Sequence, residues 1–262
     1  MPVSKGLLCV AVEEFPVLLS PKPTQGLYGK TVFRKYVFRR YVKRLSSFMP
    51  VIAITGRKGG IGKSTITANV AAEFVAQRRT VVVLDADPQK SLVAWSQLGE
   101  GTLSRCVEPI ETEHPERFRA TVKAKAQAVD VVLIDTPPGF TDPALLAALV
   151  ADVVLLPCGP SPLDILAVRE ALTLTHDVRK QRKDGKPIIR FVPSRGLPTT
   201  TLGRDLTASL EELGEKVLPA INQRIAVAES ALSGLTVGEY APGSPAHMEF
   251  QTLTKAIGRL IK

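Results

Sequence analysis

Gly56-Arg57-Lys58-Gly59-Gly60-Ile61-Gly62-Lys63-Ser64 follows the apolar run VIAIT at 51–55 and leads straight into an amphipathic stretch; no other feature restricts the fold as tightly. A G-x-x-x-x-G-K-[ST] segment between a strand and a helix makes a phosphate cradle. The glycines let backbone approach the anion, the N–H groups point inward, and the helix dipole adds a favourable field. In that setting Lys63 is placed to reach the β- and γ-phosphates and the Ser64 hydroxyl to ligate Mg²⁺. A glycine turn that merely joined strand to helix would need neither the lysine nor the hydroxyl.

The chain from Val51 onward keeps the same strand-then-helix rhythm. Apolar, β-branched runs occur at 51–55, 81–85, 131–135, 153–157 and 188–192, with stretches long enough for crossover helices at 64–77, 143–151 and 164–182. Continuous apolar strands are covered on both faces, which predicts an α/β fold: a doubly wound, mostly parallel sheet with helices on both sides. Ligands of such sheets bind beyond the carboxyl ends of the strands. Asp85 and Asp87, after VVVL, and Asp135, after VVLI, fall there. Carboxylate oxygens suit hard Mg²⁺, whereas an isolated Asp after a strand would serve as a helix cap; the loop beside them favours the metal.

Lys58-Gly59-Gly60-Ile61-Gly62-Lys63-Ser64-Thr65 resembles the deviant Walker A box of the ParA/MinD ATPases, which carries a second lysine early in the loop. Asp85-Ala86-Asp87-Pro88-Gln89 resembles that family's Walker A′ segment, and Ile134-Asp135-Thr136-Pro137-Pro138-Gly139 its Walker B and switch II. The segments 91–96, 160–164 and 234–262 are similar to the small ParF-type partition ATPases, so the resemblance covers essentially 51–262.

The resemblance implies a P-loop ATPase, dependent on ATP and Mg²⁺ and weak in intrinsic turnover, in which two protomers sandwich two nucleotides. Its phosphate-contacting residues would be Lys58, Gly59, Gly60, Ile61, Gly62, Lys63, Ser64 and Thr65. Lys63 would serve its own nucleotide, while Lys58 reaches the partner's phosphates and stabilises charge on the transferred group. By the same resemblance Asp87 positions the attacking water, and Ser64, Asp85 and Asp135 organise Mg²⁺. Asp87, Pro88, Thr136, Pro137, Pro138 and Gly139 act as switches that sense the γ-phosphate. It further implies an ATP-dependent homodimer that binds DNA without sequence preference, with Arg195 and Arg224 where family members carry DNA-contacting arginines. A ParB-like adaptor would stimulate hydrolysis, and the protein would be cytoplasmic and nucleoid-associated. The expected output is partition of plasmid or chromosome DNA. The alternative is the same mechanism positioning a protein cargo such as carboxysomes or chemoreceptor clusters.

The net charge of +9 invites a nucleic-acid reading until it is divided along the chain. Residues 1–48 carry nine Lys/Arg against two acids, and the remaining 214 carry 25 basic against 23 acidic residues, so most of the basicity belongs to an N-terminal appendage. That segment also holds seven of the fourteen aromatics, and it places Phe33, Val37, Tyr41 and Leu45 at helical spacing among Arg34, Lys35, Arg39, Lys43 and Arg44. The pattern suits a membrane surface or nucleic acid. Equally, Met49-Pro50-Val51 reads as a translation start, which leaves 49–262 as the ATPase domain. Arg179, Lys180, Arg182, Lys183 and Lys186 form a second basic cluster, expected to be an ordinary solvated helix end.

Other deviant-Walker relatives recede residue by residue, with a MinD-like membrane-associated ATPase kept as the second alternative. Three cysteines with no close pair, Cys9, Cys106 and Cys158, do not make an iron–sulfur or metal site, and only Tyr240 lies beyond residue 41, against a tyrosine-kinase tail. A MinD-like membrane ATPase would use an amphipathic C-terminal helix. The stripe Phe250, Leu253, Ile257 and Leu260 has that spacing, but core packing is the expectation, and no stable membrane association is expected.

Overall fold

The structure, a computed structural model, describes residues 49–139, 141–197 and 199–261; the basic segment 1–48 lies outside these residues. Among them are seven strands: β1 (Val51–Ile54), β2 (Val81–Asp85), β3 (Val107–Pro109), β4 (Val131–Asp135), β5 (Val153–Cys158), β6 (Ile188–Gly196) and β7 (Ile221–Asn222). They form one parallel sheet in the order β3-β2-β4-β1-β5-β6-β7. The five expected strands are present within a few residues of their apolar runs. The two edge strands, β3 and β7, are three and two residues long and carry no apolar run of their own.

The connecting helices are α1 (Lys63–Ala76), α2 (Ser91–Gln97), α3 (Leu103–Cys106), α4 (Pro115–Ala128), α5 (Asp142–Val150), α6 (Pro162–Gln181), α7 (Thr201–Glu211), α8 (Ile225–Leu232), α9 (Val237–Tyr240) and α10 (Pro245–Gly258). Every residue of β1, β2, β4 and β5 is buried, as strands covered on both faces must be. The chain leaves β1 for β2 on one side and β4 for β5 on the other, so the strand order reverses around β1 and opens a crevice at its carboxyl end. Register puts the acids into that crevice: Ile54 lies opposite Asp135, and Asp135 opposite Asp85, at the ends of three adjacent strands.

Helix α1 is buried along most of its length because α9 and α10 pack over it. Asn69 of α1 accepts from the Val237 N–H at 2.8 Å, and Glu73 faces His247 of α10 at 2.9 Å. Phe250, Leu253 and Ile257 are completely buried and Leu260 packs against the same core, so the C-terminal stripe is spent on packing rather than on a membrane. No helix among the described residues is long and apolar enough to cross a membrane.

Candidate functional site: the phosphate loop and the strand ends around it

The loop turns tightly because Gly60 and Gly62 adopt φ of 71° and 90°, a left-handed conformation that a side chain would strain. Gly62 then caps α1, whose N-terminus has neither a side-chain cap nor an acidic residue in its first turn. A 14-residue helix that ends so at a strand-edge crevice leaves its first N–H groups and its dipole available to an anion. Two contacts from the end of β6 brace the loop from outside. The Ser194 hydroxyl donates to the Ile61 carbonyl at 2.7 Å, and the Arg195 guanidinium donates to the Gly60 carbonyl.

Lys63 is 6% exposed and its ammonium donates back to the Lys58 carbonyl at 3.2 Å. Burial holds its proton affinity below the usual lysine value, while the carboxylates of Asp135 and Asp87 pull it back up. A cation so placed is desolvated and, among the described residues, lacks a direct carboxylate partner, which suits a group awaiting phosphate oxygens.

Ser64 donates to Asp135 Oδ2 at 2.6 Å, and Thr67, one turn on, donates to Asp135 Oδ1 at 3.1 Å. Asp135 is fully buried, and that burial pushes its carboxyl up to about 7; the bonds from Ser64 and Thr67 and the charge of Lys63 oppose the rise. A hydroxyl and a carboxylate already 2.6 Å apart at a helix N-terminus are hard oxygen donors facing one point, and these residues fit Mg²⁺ beside a nucleotide. Mg²⁺ would neutralise charge across the phosphate oxygens. Ser64 and Asp135 would hold it.

Asp85, expected to help organise Mg²⁺, closes β2 at the same crevice and is already hydrogen-bonded within its own loop. Its oxygens accept from the backbone N–H groups of Asp87, Leu92 and Val93 at 3.0, 3.0 and 3.1 Å, so the carboxylate is consumed in fixing the following loop to the start of α2. Burial raises its pKa and those three bonds lower it. Ser64 and Asp135 thus face one point together, while Asp85 shapes the loop that carries Asp87. Asp87 accepts from the Gln89 N–H at 2.9 Å, the turn that Pro88 introduces.

On the other side of the crevice, the buried Thr136 donates to the Ile54 carbonyl at 2.9 Å, which fixes the start of the segment 136–139 to β1. Pro137 is buried and Pro138 exposed beside Gly59, and the Gly139 N–H donates to the Arg57 carbonyl at 2.7 Å. The segment 136–139 is thus hydrogen-bonded to the phosphate loop through Gly139.

Lys58 is engaged by α6: its ammonium donates to Asp164 Oδ1 at 2.5 Å, and Arg57 beside it pairs with Glu170 on the same helix. Asp164 was not evident as a site residue, although its place three residues after Ser161 marks a helix start, and Ser161 accepts its N–H at 3.2 Å. Thr67, Ser194 and Asn69 were equally silent in the sequence. Of the two arginines expected at DNA, Arg195 lies on the loop, while Arg224 is paired with Glu249 at 2.8 Å and is not a free cation.

The second basic cluster is internal structure more than binding surface. Arg182 donates to the Leu149 and Ala151 carbonyls and to Asp184, Arg179 to Glu215 and the Pro187 carbonyl, and Lys186 to Asp152. Among the described residues the one group of side chains that could gather a metal elsewhere is Glu111, Glu113 and His114, all exposed.

Residues 52–237 match the model of the CobQ/CobB/MinD/ParA nucleotide binding domain. The chain is 31% identical over 183 residues to the maintenance of carboxysome distribution protein A of Halothiobacillus neapolitanus, spanning 69% of this chain and 82% of that one. It is 32% identical over 198 residues to the protein of the same name from Gloeobacter kilaueensis, spanning 73% and 85%. Among solved structures, apo McdA of Cyanothece superposes with a TM-score of 0.68 at 19% identity, over 80% of this chain and all of that one.

Proposed function

The chain belongs to the CobQ/CobB/MinD/ParA nucleotide-binding family, and on that premise we propose that it is a ParA-type ATPase that positions a protein cargo such as a carboxysome. The observation that carries the nucleotide chemistry is one cluster: buried Lys63, Ser64 bonded to Asp135, and an uncapped α1 N-terminus at the carboxyl end of β1. The cargo reading is carried by the two relatives named for carboxysome distribution. Plasmid or chromosome DNA, the first expectation from the motifs, takes second place for that reason.

In this reading the α1 N–H groups and Lys63 bind and orient the phosphates, Ser64 and Asp135 hold Mg²⁺, and Asp87 holds the attacking water in line. Lys58 leaves Asp164 to reach the phosphates of a second protomer, so ATP binding and dimerisation are one event. The dimer holds DNA through Arg195 and through Arg224, which leaves Glu249 to do so, and an adaptor ends the bound state by stimulating a slow hydrolysis.

The test is DNA retention and oligomeric state in ATP, in ADP and without nucleotide, for the full chain and for one that starts at Met49. ATP-specific dimers that retain DNA in both chains are expected. DNA retention that ignores nucleotide and vanishes with residues 1–48 would assign DNA binding to that segment instead. Arg195→Ala or Arg224→Ala should lower retention and spare dimerisation, and deletion in cells should disturb the spacing of the protein cargo before plasmid inheritance.

A further inference from the structure

Thr67 lies one turn after Lys63 on α1 and is completely buried. Its hydroxyl has one proton and two oxygens in reach, the Lys63 carbonyl at 3.0 Å and Asp135 Oδ1 at 3.1 Å. A helical threonine can spend its proton on the carbonyl four residues back, and a purely structural Thr67 would do so. A charged carboxylate is the stronger acceptor, because a hydrogen bond to an ionised group is roughly twice as strong as one between neutral groups.

Asp135 is gripped at both oxygens by one face of one helix. Ser64 donates to Oδ2 at 2.6 Å, and Thr67, three residues on, donates to Oδ1. The two bonds differ in what a cation would do to them. Ser64 and Oδ2 are the pair that would take up Mg²⁺, and Ser64 must then turn its proton away from Oδ2. Thr67 sits on the opposite oxygen, so its bond can persist through that exchange. Without it, Oδ1 would be a fully buried oxygen with no hydrogen-bond donor among the described residues, and the carboxyl group could turn about its own bond.

We propose that Thr67 is a positioning residue for magnesium: its hydroxyl holds Asp135 Oδ1, so that Oδ2 stays aimed at the point it shares with Ser64 once the Ser64 proton has turned away. The inference rests on the proposed nucleotide and Mg²⁺ chemistry of the site, and it adds a residue that lies outside the G-x-x-x-x-G-K-[ST] segment. A Thr67 hydroxyl that held the Lys63 carbonyl alone would support the helix and leave Mg²⁺ binding indifferent to its loss.

The test measures binding of a fluorescent ADP analogue to the full chain by anisotropy, in EDTA and across a Mg²⁺ titration. Wild type, Thr67→Ser and Thr67→Ala are compared, the two variants differing by a single oxygen. Thr67→Ser is expected to keep the wild-type Mg²⁺ midpoint. Thr67→Ala should raise it about tenfold, the usual loss when a metal ligand's own hydrogen-bond partner is removed, and all three should bind alike in EDTA. Thr67→Val, which keeps the side-chain volume without the hydroxyl, should follow Thr67→Ala and supplies the comparison if the smaller side chain unfolds the chain. The proposal is overturned if Thr67→Ala and Thr67→Val keep the wild-type midpoint, or if they lose affinity equally in EDTA and in Mg²⁺, as a purely structural threonine would require. It is overturned too if Thr67→Ser shifts the midpoint as far as Thr67→Ala. A wild-type chain that does not bind the analogue, or binds it with no response to Mg²⁺, removes the nucleotide and magnesium chemistry itself and the proposal with it.

Discussion

Lys58 donates to Asp164 at 2.5 Å, so the lysine expected at the partner's phosphates is held within its own chain. Asp164 is 11% exposed and fixed at the start of α6, whereas Lys58 is 45% exposed. A pair with one anchored and one solvated member contributes about 0.5–1 kcal/mol. Asp164→Asn is therefore expected to tighten ATP-dependent dimerisation by about two- to fivefold, and Lys58→Ala to weaken it. Sedimentation at matched ATP concentrations reads both. An unchanged dimer affinity in Asp164→Asn would mean that the intrachain pair does not compete with assembly.

The buried Asp135 carboxyl, pushed up to about 7 from an ordinary 3.8, makes the nucleotide-free chain sensitive to pH. Because the folded value is the higher one, the folded chain keeps a proton that the unfolded chain has released. The contribution of neutral Asp135 is complete below about pH 4 and is lost as pH rises through 7. Melting temperature should fall from pH 5 to 8 in the wild type and more gently in Asp135→Asn, which cannot ionise. Parallel curves would remove Asp135 from this linkage. Magnesium–nucleotide binding, which needs the carboxylate, should strengthen over the same interval.

Arg182 ties the end of α5 to the end of α6. Its Nη1 donates to the Leu149 and Ala151 carbonyls at 2.9 and 2.6 Å, and Nε and Nη2 donate to the two oxygens of Asp184 at 3.0 and 2.8 Å. The bonds from Arg182 hold the Asp184 carboxyl below its usual range. Removing a buried guanidinium that satisfies helix-end carbonyls costs about 2–3 kcal/mol. Arg182→Ala should lose that much in urea unfolding and leave nucleotide affinity unchanged. An effect below about 0.5 kcal/mol, the usual size for a surface substitution, would return Arg182 to the solvated surface.

The phosphate loop was legible because all its functional residues are neighbours in sequence, and the strand ends because Asp85 and Asp135 each close a continuous apolar run. Contacts between distant segments were not: Ser194 meets Ile61 across 133 residues and Lys58 meets Asp164 across 106. Helix α4 escaped notice because it buries just Phe118, Val122 and Ala126 among charged neighbours. Composition likewise hides partners, since nothing local tells that Glu249 neutralises Arg224 or that backbone N–H groups occupy Asp85. The basic cluster at 179–186 read as solvated surface from its sequence, and the fold turns much of it inward because Glu215 and Asp152 lie opposite.

Gly234, just past the end of α8, lies against the Leu98–Gly99 backbone, and a methyl group there tests how closely the two segments must fit. It adopts φ +68°, and a Cβ would sit 2.4 Å from the Gly99 nitrogen and 2.5 Å from the Leu98 carbonyl carbon, distances that require backbone to move. The left-handed conformation costs a side chain about 1–2 kcal/mol, and overpacking against rigid neighbours about 1–3 more. The Gly99 loop has little freedom to retreat, since Thr102 is clamped through its N–H and its hydroxyl to Glu239 Oε1, both at 2.7 Å. Gly214 provides the comparison, because its φ is +89° and nothing lies within 4 Å of its Cβ position. Gly214→Ala should therefore cost only the backbone share, about 1–2 kcal/mol, and Gly234→Ala about 2–5 kcal/mol, both read by urea unfolding. Equal costs at the two glycines would mean that the chain yields at Gly99.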